Sequence, residues 1–199
     1  MTPGHVALTF DDGPTPAHTL ALLDALRSCG ARATLFNIGR NARDEPGLVL
    51  AQRAAGMWLG NHSWSHPHLT ALPEQEAEDE LRRTARVLRR ITGAAPRLFR
   101  PPYGDTNPAV RALARRLGLT EVLWDVDTRD WAGAGPDDIV AAAEALQDGQ
   151  ILLMHDGYAA TLEAVPRIVA ALRARGLQPG MISPATGRAT APRGPHRVR

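Results

Sequence analysis

From end to end the chain alternates short apolar runs with amphipathic stretches of helical period, and this alternation narrows its fold more than any other feature of the sequence. The runs HVALTF, ATLFNIG, GMWLGNH, RLFR, EVLWDV, QILLMH and GMIS read as seven strands. Between them lie helical patterns with recognisable ends. The first has Thr15 as cap, Pro16 in the first helical position and Gly30 at its close. PGLVLAQRAAG, a stretch over 73–92, one opening at Asn107-Pro108 and closing at Gly118, one over 137–147, and TLEAVPRIVAALRARG supply the others. The 73–92 pattern places Ala77, Leu81, Ala85, Leu88 and Thr92 on one face. Its acids (Glu74, Glu76, Glu78, Asp79, Glu80) come early and its arginines late, as the helix dipole favours, so the charge run reads as a solvated face. Repeated strand–helix units predict a parallel sheet, closed or open, and 199 residues fit one domain.

All 23 basic side chains are arginine, yet the formal net charge is only +2. Four arginines and no acid follow Gly187, so the body carries no excess of the kind that grips phosphates, and no nucleic-acid partner is expected. A single cysteine, Cys29, excludes an intramolecular disulfide and reads as a small buried residue. No apolar run reaches spanning length, so no membrane partner is expected. MTPGHVALTF lacks the pattern of an export signal, so the chain reads as cytoplasmic, or as secreted if a leader has been removed. A monomer is expected, with residues 186–199 a basic, disordered tail.

The chemically unusual residues share one address. Asp11-Asp12, His62 and His66, the segment from Arg100 to Gly104, that from Asp127 to Trp131, and His155-Asp156 each follow the C-terminal end of an expected strand. In a barrel of parallel strands those ends converge on one face. Two adjacent carboxylates in LTFDDGP, at the rim of a core, are costly to desolvate unless a cation or proton relieves them. In NHSWSH, a helical turn over 61–66 would project both imidazoles to one side, with Pro67 ending the turn. Taken alone, the pair suits surface or capping roles equally well. With one carboxylate added it becomes a donor set with open coordination positions, suited to zinc, with cobalt, nickel or iron as alternatives. One aspartate would then bind the cation, and the other would stay free as a general base. A mere turn-capping role for the aspartates would leave the other four segments unexplained.

TFDDGP, HSWSH, RPPYG, DTRDW and LMH, in this order, resemble the five motifs of the NodB-type polysaccharide deacetylases, carbohydrate esterase family 4. The resemblance runs from about Val6 to Ile182, and the wording of GLTEVLWDVDTRDW and GMISPATGRA is most similar to actinobacterial acetylxylan esterases. It implies an α/β fold, a distorted (β/α)7-type barrel formed by a single parallel-strand domain over residues 1–185, with the active site at the C-terminal strand ends.

The resemblance further implies Asp11 as catalytic base and Asp12, His62 and His66 as ligands of a divalent metal, Zn2+ before Co2+ or Ni2+. Arg100 would pair with Asp11; the alternative is a salt bridge on the surface. Pro101-Pro102 would stiffen the loop that presents the Tyr103 amide as an oxyanion donor. His155 would be the general acid, oriented by Asp130, with Asp127 in reserve. Trp131 and Leu153 would wall a pocket for the acetyl methyl, with Pro102 as a third substrate-binding residue and Asp156 and Trp124 structural. His5, His18, His68 and His196 have no comparable partners and read as structural or solvated. The implied substrate is an acetylated carbohydrate, either O-acetyl xylan or an N-acetylglucosamine-containing glycan. The alternatives are an amidase acting on a small N-acyl compound and a non-catalytic sugar binder, the latter disfavoured by the joint presence of Asp11, Arg100 and His155.

Overall fold

The structure is a computed structural model and describes residues 3–192. In chain order its elements are β1 (Gly4–Gly13), α1 (Thr19–Ser28), β2 (Thr34–Asn37), α2 (Gly39–Asp44), α3 (Pro46–Ala54), β3 (Trp58–Asn61) and α4 (Glu74–Thr92). There follow β4 (Leu98–Phe99), α5 (Pro108–Arg116), β5 (Thr120–Glu121), β6 (Val126–Asp127), α6 (Pro136–Ala143), β7 (Ile151–His155), α7 (Ala159–Ala174), β8 (Leu177–Pro179), β9 (Met181–Ile182) and β10 (Ala189–Thr190). Seven parallel strands run in the order β5-β4-β3-β2-β1-β7-β6, and β8 pairs with the start of β1.

The run EVLWDV, expected as one strand, is the hinge of the architecture. Its first residue, Glu121, ends β5 at one edge of the sheet and its last, Val126, begins β6 at the other. Laid flat, strands six places apart would stand about 29 Å from each other. The chain between them reaches at most about 17 Å. The sheet must therefore curl until its edges approach, which makes the distorted barrel. The closing segment is tied to both sides: the Val122 amide donates to Phe99 (2.8 Å) and the Asp125 amide to Ile151 (3.0 Å).

Strand alternation sorts side chains between the barrel's two faces. Val6, Leu8 and Phe10 of β1, with Leu152 and Met154 of β7, join the large cluster against α1, α6 and α7. Ala7, Phe36, Val122 and Ile151 pack inside the barrel with Leu98 and Ile182. On the interior face of β1 the next positions are Thr9 and Asp11, both buried, so the barrel's apolar floor gives way to polar groups at its C-terminal mouth.

Other expectations need correction. The first helix begins at Thr19 rather than at Pro16, because the Thr15 and Thr19 hydroxyls both donate to Asp156 (3.1 and 2.5 Å), which draws the preceding residues into a turn. ATLFNIG stops being a strand at Asn37, and Gly39 opens the unanticipated α2. The segment beside β1 is Leu177–Pro179, whereas GMIS pairs antiparallel with β10. β10 lies within the span expected to be a disordered tail, and Arg188 there pairs with Asp125 (2.9 Å). The rest of that span, 193–199, including His196, lies outside the described residues. Among the described residues no helix is long and apolar enough to cross a membrane.

Candidate active site

β1 delivers two carboxylates to the mouth by different means. Asp11 arrives by the strand's own alternation. Asp12 would by the same rule face the helices, but its φ of 70° and the break in β1–β2 register between Phe10 and Gly13 form a bulge that turns its carboxylate back to the mouth. The Asn41 side chain donates to the Asp12 carbonyl (3.0 Å) and fixes that bulge.

His62 and His66 do meet, but not on a helical turn. Ser63 and His66 take left-handed conformations (φ 63° and 64°), and the Asn61 carboxamide and Ser63 hydroxyl accept the Ser63 and His66 amides (2.9 and 3.1 Å). The two rings stand 4.9 Å apart, edge to face. His62 Nδ1 lies 2.8 Å from the Arg100 carbonyl. A carbonyl only accepts, so Nδ1 carries the proton and Nε2 offers its lone pair.

These donors fit a divalent cation. One ligand atom each from Asp12, His62 and His66 lies within 4.8 Å of the others. Asp12 Oδ1 is buried without a hydrogen-bond partner, yet stands 3.4 Å from His62 Nε2 and 3.3 Å from His66 Nε2. An unsatisfied buried carboxylate oxygen facing two imidazole nitrogens is the arrangement a cation would complete. Burial raises the Asp12 carboxyl, but His62, with His66 and His155, outweighs it and leaves the group below its usual value. Burial and His62 lower the His66 imidazole against the pull of Asp12 and Asp11, a shift toward the neutral form that can ligate.

Arg100 is fully buried, so the surface salt bridge is excluded. It donates to Asp11 Oδ1 (2.8 Å), Thr9 Oγ1 (2.7 Å) and the carbonyls of Val122 (3.2 Å) and Leu123 (3.0 Å), with its guanidinium over Phe36. One residue thus binds the barrel-closing segment, clamps one oxygen of Asp11 and, through its backbone, orients His62. The other oxygen of Asp11 lies 3.7 Å from His62 Nε2.

Across the mouth, His155 is the register partner of Asp11 on the adjacent strand. Its Nδ1 is 2.8 Å from Asp130 Oδ1, while Asp130 Oδ2 accepts from the His155 amide (2.8 Å) and the Thr161 hydroxyl (2.7 Å). Asp127, the reserve partner, is instead spent on the Arg129 amide (2.8 Å) and the Trp131 indole (3.4 Å). Burial pushes His155 down, but the Asp130 hydrogen bond and the charges of Asp11, Asp130 and Asp12 prevail, so the imidazole holds its proton above the usual value.

A cleft of about 280 Å³ joins these groups: Asp11, Asp12, His62, His66 and His155 line it with Tyr103, Trp124, Asp127, Trp131 and Leu153. Pro102 is buried and is not among the residues lining the cleft; it sits in a turn closed by the Gly104 and Asp105 amides on the Pro101 and Pro102 carbonyls (both 3.0 Å). Tyr103 sits there at φ 61°, and its amide takes no part in closing the turn. Its exposed ring stacks on His68 (4.1 Å), one of the histidines read as partnerless. Trp124, read as structural, lines the cleft, and Gly104 is required beside it because a Cβ there would come within 2.7 Å of its ring. Asp156 stays structural, tying Thr15 and Thr19. The acid that sequence reasoning missed is Glu80, whose carboxylate accepts from the Trp64 and Ser65 amides of the histidine loop.

Comparison with known proteins agrees with this geometry. Residues 1–122 match the family profile described as polysaccharide deacetylase. The chain is 45% identical over 191 residues to a bifunctional xylanase/xylan deacetylase of Cellvibrio japonicus, covering 95% of this chain and 29% of that protein. It is 37% identical over 174 residues to the peptidoglycan-N-acetylmuramic acid deacetylase PdaC of Bacillus subtilis, covering 87% of this chain and 37% of that protein. It therefore spans about a third of the length of these curated relatives. A family 4 carbohydrate esterase from Streptomyces lividans, solved in complex with acetate, superposes with a TM-score of 0.94 at 51% identity, covering 97% of this chain and all of that one. On the barrel, its mouth and these matches together, the chain belongs to the polysaccharide deacetylase family, carbohydrate esterase family 4.

Proposed function

We propose that the chain is a metal-dependent deacetylase that hydrolyses acetyl groups from carbohydrate, with O-acetylated xylan as the preferred substrate. The observation that carries this reading is a single cleft in which a carboxylate fixed by Arg100 and an imidazole fixed by Asp130 flank the cluster of Asp12, His62 and His66. A pure sugar binder has no need of both. Similarity over 95% of the chain to a xylan deacetylase supports the ester substrate; N-acetyl glycans are the second reading, supported by the likeness to a peptidoglycan deacetylase.

Asp12, His62 and His66 would hold the divalent cation, zinc by ligand type. Such an ion polarises an acyl carbonyl and acidifies water. Asp11, with Oδ1 held by Arg100, keeps Oδ2 free to take a proton from the attacking water. The Tyr103 amide donates to the oxyanion as charge develops on the carbonyl oxygen. His155, with Nδ1 committed to Asp130, delivers a proton from Nε2 to the departing sugar oxygen. Trp131 and Leu153, which line the cleft, would receive the acetyl methyl.

The test is acetate release from acetylated xylan, chitooligosaccharides and peptidoglycan fragments by zinc-loaded and chelator-stripped protein, beside Asp11→Asn. Zinc-dependent release, greatest on xylan and nearly abolished by the substitution, is expected. Full activity of the Asp11→Asn protein would remove the proposed base.

A further inference from the structure

The segment bearing His62 and His66 has no helix or strand to shape it between them, yet beyond the Ser63 and His66 amides its backbone is pinned from outside at four groups. The Ser63 and Trp64 carbonyls accept from the Gly39 and Arg40 amides at the start of α2 (2.9 and 3.1 Å). The Trp64 and Ser65 amides both donate to Glu80 Oε2 (2.8 Å each), and the Ser65 hydroxyl donates to Oε1 (2.9 Å). The Trp64 ring is covered by Arg83 of α4 at 4.1 Å.

We propose that Glu80 is a positioning residue of the metal centre: by gripping the two central amides of the loop it sets the separation of the His62 and His66 imidazoles, and hence the affinity for a divalent cation. The inference rests on Asp12, His62 and His66 being the ligands. An ordinary surface glutamate on a helix pairs with arginine a turn away, as Glu78 does with Arg82. Glu80 instead spends both oxygens on three donors of one loop. That loop contains two non-glycine residues in left-handed conformations, which persist only where the surroundings impose them. The α2 amides hold the loop's carbonyls, and Glu80 holds the neighbouring amides.

Zinc alone, titrated into metal-free protein against a chromophoric chelator, tests this. Glu80→Ala should weaken zinc binding about 10–100-fold, the usual effect of removing a group that orients metal ligands. Glu80→Gln keeps an acceptor oxygen for both amides and should stay within about threefold of wild type. A merely structural role would lower the thermal midpoint of the metal-free variants without separating their zinc affinities. If wild type takes up no zinc, the ligand assignment fails, and this inference with it. If wild type binds, His62→Ala does not, and Glu80→Ala binds as wild type does, only the role of Glu80 falls. Should the alanine variant not fold, Glu80→Asp decides: one methylene short, it should lose about tenfold, and wild-type affinity would overturn the proposal.

Discussion

Replacing Arg100 with methionine keeps an unbranched side chain packed against Phe36 while removing the guanidinium. It strands Asp11, whose side chain is 4% exposed, along with the carbonyls of Val122 and Leu123, while Thr9 Oγ1 keeps its hydrogen bond to the Leu152 carbonyl. Breaking a buried ion pair from one side costs about 3–5 kcal/mol. Each neutral acceptor left unpaired adds about 1 kcal/mol, offset in part because methionine packs well and water can reach the half-buried Leu123 carbonyl. A net loss of about 4 kcal/mol is expected, which is a large share of the about 5–15 kcal/mol that holds a domain together. Urea unfolding at pH 7, followed by tryptophan fluorescence, should show the midpoint falling by roughly 1.5–2 M. Adding Asp11→Asn removes the stranded charge, so the double variant should be more stable than Arg100→Met alone by about 2 kcal/mol. A loss below about 1 kcal/mol for Arg100→Met, or strictly additive single losses, would refute the claim that Arg100 and Asp11 form an interdependent buried pair inside the barrel.

Three further variants test the same geometry. In Asp130→Asn the support that holds the His155 proton is gone, so the alkaline fall in kcat should move to lower pH; an unmoved limb contradicts the pairing. The raised His155 pKa also contributes stability that is full below the unfolded value, about 6.5, and fades as pH rises through the folded one, so the stability gap between wild type and Asp130→Asn should narrow on that side. Thr161→Val removes the hydroxyl that donates to Asp130 Oδ2 and should cost about 1 kcal/mol in thermal unfolding with a modest drop in kcat. Gly104→Ala, at φ 67° and against the Trp124 ring, should destabilise by about 1–3 kcal/mol and change the near-ultraviolet signal of Trp124; a silent substitution would show that the ring has room to move.

What could be read from the residues in order, and what could not, divides along a physical line. Strands and helices were legible because burial on one face imposes a period, and the convergence of five polar segments followed from their shared place after strand ends. The split of EVLWDV was not, since a short apolar run carries no mark of which side of the sheet it joins; only barrel closure lets Val122 bond to β4 and Asp125 to β7, toward opposite edges of the sheet. The same blindness hid Trp124, which lies in that closing segment. The spacing of His62 and His66 suggested a helical turn, but side-chain caps from Asn61 and Ser63 and two left-handed residues produce the pairing instead. Glu80 escaped because an acid in the first half of a helix is what the dipole favours, and nothing local distinguishes a solvated carboxylate from one holding a loop.

The most direct test of the whole account is anomalous diffraction at the zinc edge from crystals of this protein grown with zinc. One peak bonded to Asp12, His62 and His66, facing the free oxygen of Asp11, is the expected result. Fully occupied zinc bound elsewhere, with these three side chains turned apart, would contradict it.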